Sequence, residues 1–138
     1  MFFNNKERKN NNTNFVKISA LLIHAAKIDE NYSTEEEEII QKALLSLGAN
    51  KDDLESIITK AKQSEEDANQ ILDFTREIKN LEKIDKIKIV KSLWRIIYSN
   101  NDADIYETNL MRRLGGLLYI DNKIMGDIKE EIKKENLK

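Results

Sequence analysis

Cysteine and proline are missing from this 138-residue chain, and glycine occurs only four times. Without cysteine there is no disulfide framework, no thiolate zinc site and no cysteine nucleophile, and the chain suits a reducing compartment. An all-β or α/β chain of this length would spend more proline and glycine on tight turns, so the scarcity favours helices. Long apolar runs are missing too. Stretches such as Ala20–Ile23 and Leu117–Ile120 fall far short of the roughly 20 residues a membrane-spanning helix needs. The opening MFFNNKERKNNNTN lacks the apolar segment of a secretory signal. Neither sign of charge dominates: 23 basic and 25 acidic residues leave a net −2, which speaks against nucleic acid as a partner. A soluble, cytoplasmic protein is expected.

What is present suffices for one core. Hydrophobic residues make up 40% of the chain and charged residues 35%, and the length is that of a single domain. The Asn- and Lys-rich residues 1–14 read as a disordered tail, and residues 15–134 as a helical domain. Apolar residues recur at helical spacing almost throughout. Phe15, Ile18, Leu22 and Ala25 form the stripe of a first helix, ending near Ile28. Ser33 with Glu36 reads as a capping box opening a second, which Gly48 closes. Asn50 caps a third. Ser64 with Asp67 resembles a cap for a fourth, through Ala68, Leu72 and Ile78. A fifth runs from about Ile84 to Tyr98. Asp104 with Glu107 is another capping box, for a sixth helix in which Gly115 and Gly116 call for close packing. A short last helix from Asp121 dissolves into KEEIKKENLK. The expected fold class is all-α, a single compact bundle of about seven helices.

The most informative feature is a self-match at an offset of 71 residues. Leu22 falls on Leu93, Ala26 on Ile97, Asp29 on Asn100, Ser33 on Asp104, Glu36 on Glu107 and Leu47 on Leu118. Both apolar stripes and the polar turn between them are preserved, which predicts two helix–acidic turn–helix hairpins packed face to face. Each turn carries short oxygen-bearing side chains at its first, third and fifth positions and a glutamate at its eighth. These are Asp29, Asn31, Ser33 and Glu36, then Asn100, Asp102, Asp104 and Glu107. Alternating short oxygen donors suit a hard cation, calcium or magnesium. The EF-hand pattern fails, because Thr34 and Ile105 stand where it needs glycine, and Ile40 and Met111 where it needs the bidentate glutamate. Two readings stand side by side. The serine, aspartate and glutamate pairs already serve as caps, and the residues before them as turn formers; or the same oxygens hold a weakly bound divalent ion.

At these residues the chain resembles the TerB-like family, small helical proteins named for tellurite resistance. The family's signature, an apolar helix running into Asp-Gly-x-x-(Ser/Asp)-x-x-Glu, is matched twice, in AAKIDENYSTEEEEII and IIYSNNDADIYETNLMRRLGGLL. The segment DFTREIKNLEKIDKIKIVKSLWRIIYS is similar to the TerB-related bacterial branch, with its helix leading to Leu-Trp. The resemblance covers residues 15–130. It implies an all-α fold of about seven helices and an acidic cluster binding divalent metal. It also implies a non-enzymatic role in stress response, within complexes near the inner face of the membrane. Any membrane association would then be peripheral, through a protein partner. Two departures stand out: the family's glycine is Glu30 in the first turn and Asn101 in the second, and the aspartate of the second turn is Asn100.

The remaining candidates have plainer readings. His24, the only histidine, has no second histidine or cysteine to join it and reads as a core or edge residue. Trp94 reads as a core anchor. Lys88, Lys91 and Arg95 lie along one side of the fifth helix, as a solvated face or, less commonly, a phosphate-binding one. Arg112 and Arg113 are placed to neutralise the acidic turns. No Gly-rich phosphate loop, histidine metal pair or Ser/His/Asp set can be assembled, so no enzyme is expected. The expected function is an interaction module acting through a protein partner. The alternatives are an adaptor without metal and, from another class, a metal-dependent hydrolase using the acidic turns.

Overall fold

A computed structural model describes residues 5–27, 33–68, 70–99 and 105–136. They form seven α-helices: α1 (Asn5–Lys27), α2 (Thr34–Ser46), α3 (Leu54–Asp67), α4 (Leu72–Ile78), α5 (Lys83–Tyr98), α6 (Ile105–Leu117) and α7 (Asn122–Asn136). A single 3-10 turn, Lys51–Asp53, leads into α3, and no strand occurs among the described residues. The all-α class is thus the observed one.

The two repeat-equivalent helices are the buried ones. From Ile18 to Ile23, and again at Ala25 and Ala26, every α1 side chain except His24 between them is excluded from solvent. A helix apolar on all sides belongs in the middle of a bundle. α1 accordingly packs against α2, α3, α4 and α5. Its alanines Ala20, Ala25 and Ala26 let neighbours approach closely. α5 buries Ile89, Val90, Leu93, Trp94, Ile96 and Ile97, and packs against α1, α2 and α7.

Several boundaries differ from the sequence expectation. α1 begins at Asn5, so residues 5–14, expected outside the helical domain, continue its backbone. Ser64 caps nothing. It lies inside α3, whose last turn is extended by the Gln63 side-chain amide donating to both Asp67 oxygens at 3.1 Å. α4 starts only at Leu72, without a side-chain cap. The last helix is not short: α7 runs through most of the charged C-terminal stretch because Met125, Ile128 and Ile132 form a buried stripe on it.

The offset of 71 reaches further than two hairpins. Gly48 (φ 102°) and Tyr119 (φ 58°) are equivalent positions, both left-handed, one after each second helix. The Gly48 amide donates to Leu45 O at 3.1 Å and the Ala49 amide to Leu44 O at 2.9 Å. The Tyr119 amide donates to Gly116 O at 3.3 Å and the Ile120 amide to Gly115 O at 2.9 Å. Every donor and acceptor corresponds, in two copies of one Schellman closure. The next acceptors correspond as well, with donors one residue out of register: Asn50 Oδ1 accepts from the Asp52 amide, two residues on, and Asp121 Oδ1 from the Ile124 amide, three residues on, each at 2.9 Å. Buried Ile57 and Ala61 of α3 fall on buried Ile128 and Ile132 of α7, and α3 packs on α1 as α7 packs on α5. Each copy is therefore three helices, and α4 joins them. The copies are not packed symmetrically. α2 rests on α5, whereas the described part of α6 packs mainly on α4 and α7.

Candidate functional site

The first acidic corner opens α2. Ser33 has extended backbone (φ −93°, ψ 162°), as an N-cap requires, and its Oγ accepts from the Glu36 amide at 3.1 Å. Glu36 Oε1 accepts in return from the Ser33 amide at 3.0 Å and the Ser33 hydroxyl at 2.9 Å. The expected capping box is complete. Its unexpected property is depth: Glu36 is 0% exposed. A capping glutamate ordinarily lies at the surface, and a buried carboxylate is costly unless its oxygens are engaged. Glu35 and Glu37 stand beside it in the first turn, where the helix dipole favours negative charge, and Glu37 pairs with Lys62 at 3.1 Å.

Of the eight predicted oxygen donors, Ser33 and Glu36 are brought together as described. Glu107 is the third residue of α6, the place that Glu36 holds in α2. Asp29, Asn31, Asn100, Asp102 and Asp104 lie outside the described residues. Among the described residues no group of three or more His, Cys, Asp or Glu side chains is arranged to hold a metal ion. The donor set that is described contains oxygen only, which fits a hard cation and not a soft one.

The other candidates resolve into structure. His24 is an edge residue: its side chain is 38% exposed, with Nδ1 3.4 Å from Glu65 Oε1 and its ring 6.3 Å from that of Phe74. Lys27 donates to the other oxygen of Glu65 at 2.8 Å. That contact, the largest influence on it, holds the Lys27 amine above the ordinary lysine value. Trp94 is the predicted core anchor, 3% exposed and stacked on Tyr98 at 5.8 Å, with the Lys129 ammonium 5.5 Å from its ring centre. Arg112 and Arg113 are exposed on α6, and the second-turn carboxylates that they were expected to neutralise lie outside the residues whose side chains are described.

Two features escaped sequence reasoning. Buried Lys86 donates to Lys79 O at 3.2 Å and to Leu118 O at 2.9 Å, tying together the ends of α4 and α6. A lysine facing two helix C-termini is stabilised by both dipoles, but nothing local in the sequence marks it. Glu65 gathers His24 and Lys27 from another helix, again a long-range pairing.

This is a duplicated, acidic-cornered helical domain. The chain belongs to the TerB family: the family model described as tellurite resistance protein TerB matches residues 16–130. No curated protein and no solved structure shows significant similarity to it. No described helix is long and apolar enough to cross a membrane.

Proposed function

We propose that this protein is a non-enzymatic interaction module of the TerB type, serving a stress response through a protein partner and binding calcium or magnesium at its acidic turns. One observation carries the metal reading: the family-motif glutamate of the first turn, Glu36, is fully buried, with one carboxylate oxygen held by both Ser33 donors. A side chain so fixed is preorganised, and the short oxygen side chains Asp29 and Asn31 precede it by a few residues in the sequence. An ion bound there would contribute positive charge to a buried carboxylate; Asp29, Asn31, Ser33 and Glu36 would hold it, with Asp102, Asp104 and Glu107 as the second set.

Calcium and magnesium titrations followed by amide NMR test this. Millimolar ion is expected to shift amides within residues 29–36, and Asp29→Asn to abolish the shifts without unfolding the chain. No shift in 29–36 or 100–107 would leave the corners as caps alone, the reading that the completed capping box favours. The partner is sought separately, by cross-linking and pull-down from cells.

A further inference from the structure

The basic side of α5 is not simply a solvated face. Lys88, Lys91, Ser92 and Arg95 of α5 line, with Lys42 and Ser46 of α2, a groove of about 490 Å³ that contains no carboxylate in its lining. The net charge of the whole chain is −2, yet four cations converge here.

Neighbouring groups compensate only one edge. On α7, Glu131 approaches Lys91 at 3.4 Å, and Glu135 takes Arg95 through two contacts of 3.1 Å. The other edge has no such partner. The Lys88 ammonium donates to the Ser46 carbonyl at 3.1 Å, and among the described residues neither Lys88 nor Lys42 meets a carboxylate. The two serine hydroxyls donate to carbonyls of their own helices, Ser46 to Ala43 O at 2.7 Å and Ser92 to Lys88 O at 3.0 Å.

From this arrangement we infer that the α2–α5 groove is a binding site for a phosphate-bearing small molecule. Several ammonium groups converging from two helices, beside one guanidinium fork, match a tetrahedral anion that accepts along many directions. A single planar carboxylate would leave most of them unused. The volume is that of a small-ligand site. Glu131 and Glu135 act as internal competitors, since they occupy the cations that an arriving phosphate would claim.

Inorganic pyrophosphate titrated into the full chain, followed by amide NMR, tests the site. Shifts should concentrate in residues 39–46 and 88–95 and saturate. Lys42→Gln and Lys88→Gln should each weaken binding by about tenfold, as for loss of one charge-assisted hydrogen bond, and Glu135→Gln should tighten it by releasing Arg95. Both lysines are at least partly exposed, so these variants are expected to fold. In a parallel arm, sedimentation with phosphatidylglycerol vesicles that depends on Lys42 and Lys88, without a pyrophosphate response, would assign the phosphate to a lipid headgroup. Shifts scattered over lysines at large and unchanged by either variant mean an adventitious ion only. That outcome, or no response in either arm, overturns the site.

Discussion

Glu36 shows how much one residue's setting can differ from its local sequence signal. The capping box was legible in Ser33-x-x-Glu36, and both halves of it form. Burial was not legible, because it depends on what lies over the corner rather than on spacing. Ser33→Ala should therefore cost about 1–2 kcal/mol in urea unfolding, since it removes a cap and one donor to a buried carboxylate. A loss of only a few tenths would mean that other donors already satisfy Glu36. Lys27 allows a prediction in pH. Its amine is held above the ordinary 10.5 by Glu65, so the contribution is complete below that value and fades as pH rises through the raised one. Urea unfolding from about pH 9 to about pH 12 should show a shallower alkaline decline for Lys27→Met than for the natural chain. Parallel declines would show that the Glu65 contact adds nothing.

At the scale of the element, closures and caps decide where helices end. Gly48 and Tyr119 occupy one position in two copies, but only the first is the residue type that this backbone favours. Tyr119 is 70% exposed and has the Lys79 ammonium 6.0 Å from its ring centre as compensation. Tyr119→Gly should raise stability by up to about 1 kcal/mol, read by thermal unfolding; a lower Tm would show that the ring contact outweighs the backbone cost. The adjacent glycines of α6 differ for a related reason. A Cβ on Gly115 would sit 3.1 Å from Met125 Cγ, where α7 crosses close, whereas one on Gly116 would meet nothing within 4 Å. The expected close packing explains Gly115; nothing in the structure explains Gly116.

For the whole molecule, the load falls on buried helix–helix contacts, such as the one between the first and third helices of a copy. Ile132 is 0% exposed, on the stripe that attaches α7 to α5. Ile132→Ala should cost about 2–5 kcal/mol, whereas Arg95→Gln, which breaks an exposed pair, should cost less than about 1 kcal/mol. Equal losses in chemical denaturation would reverse that ranking of packing over surface charge. The repeat itself was visible in sequence as matched stripes around the acidic turns. Its third helix was hidden because α3 and α7 share few residue types, and only their buried positions and their caps correspond.

The amino-acid sequence by itself determined the helical class, the cap at Ser33, the closure at Gly48 and the positions of the inward stripes. Each of these follows from the spacing and chemistry of residues within a turn or two of one another. Tertiary structure alone decided that α1 and α5 are the two buried helices, that Lys86 joins the ends of α4 and α6, and that Lys42 faces the cations of α5. Periodicity states which side of a helix is apolar and is silent on what that side will meet. The partners are distant in the chain, and only the packing of the complete core selects them.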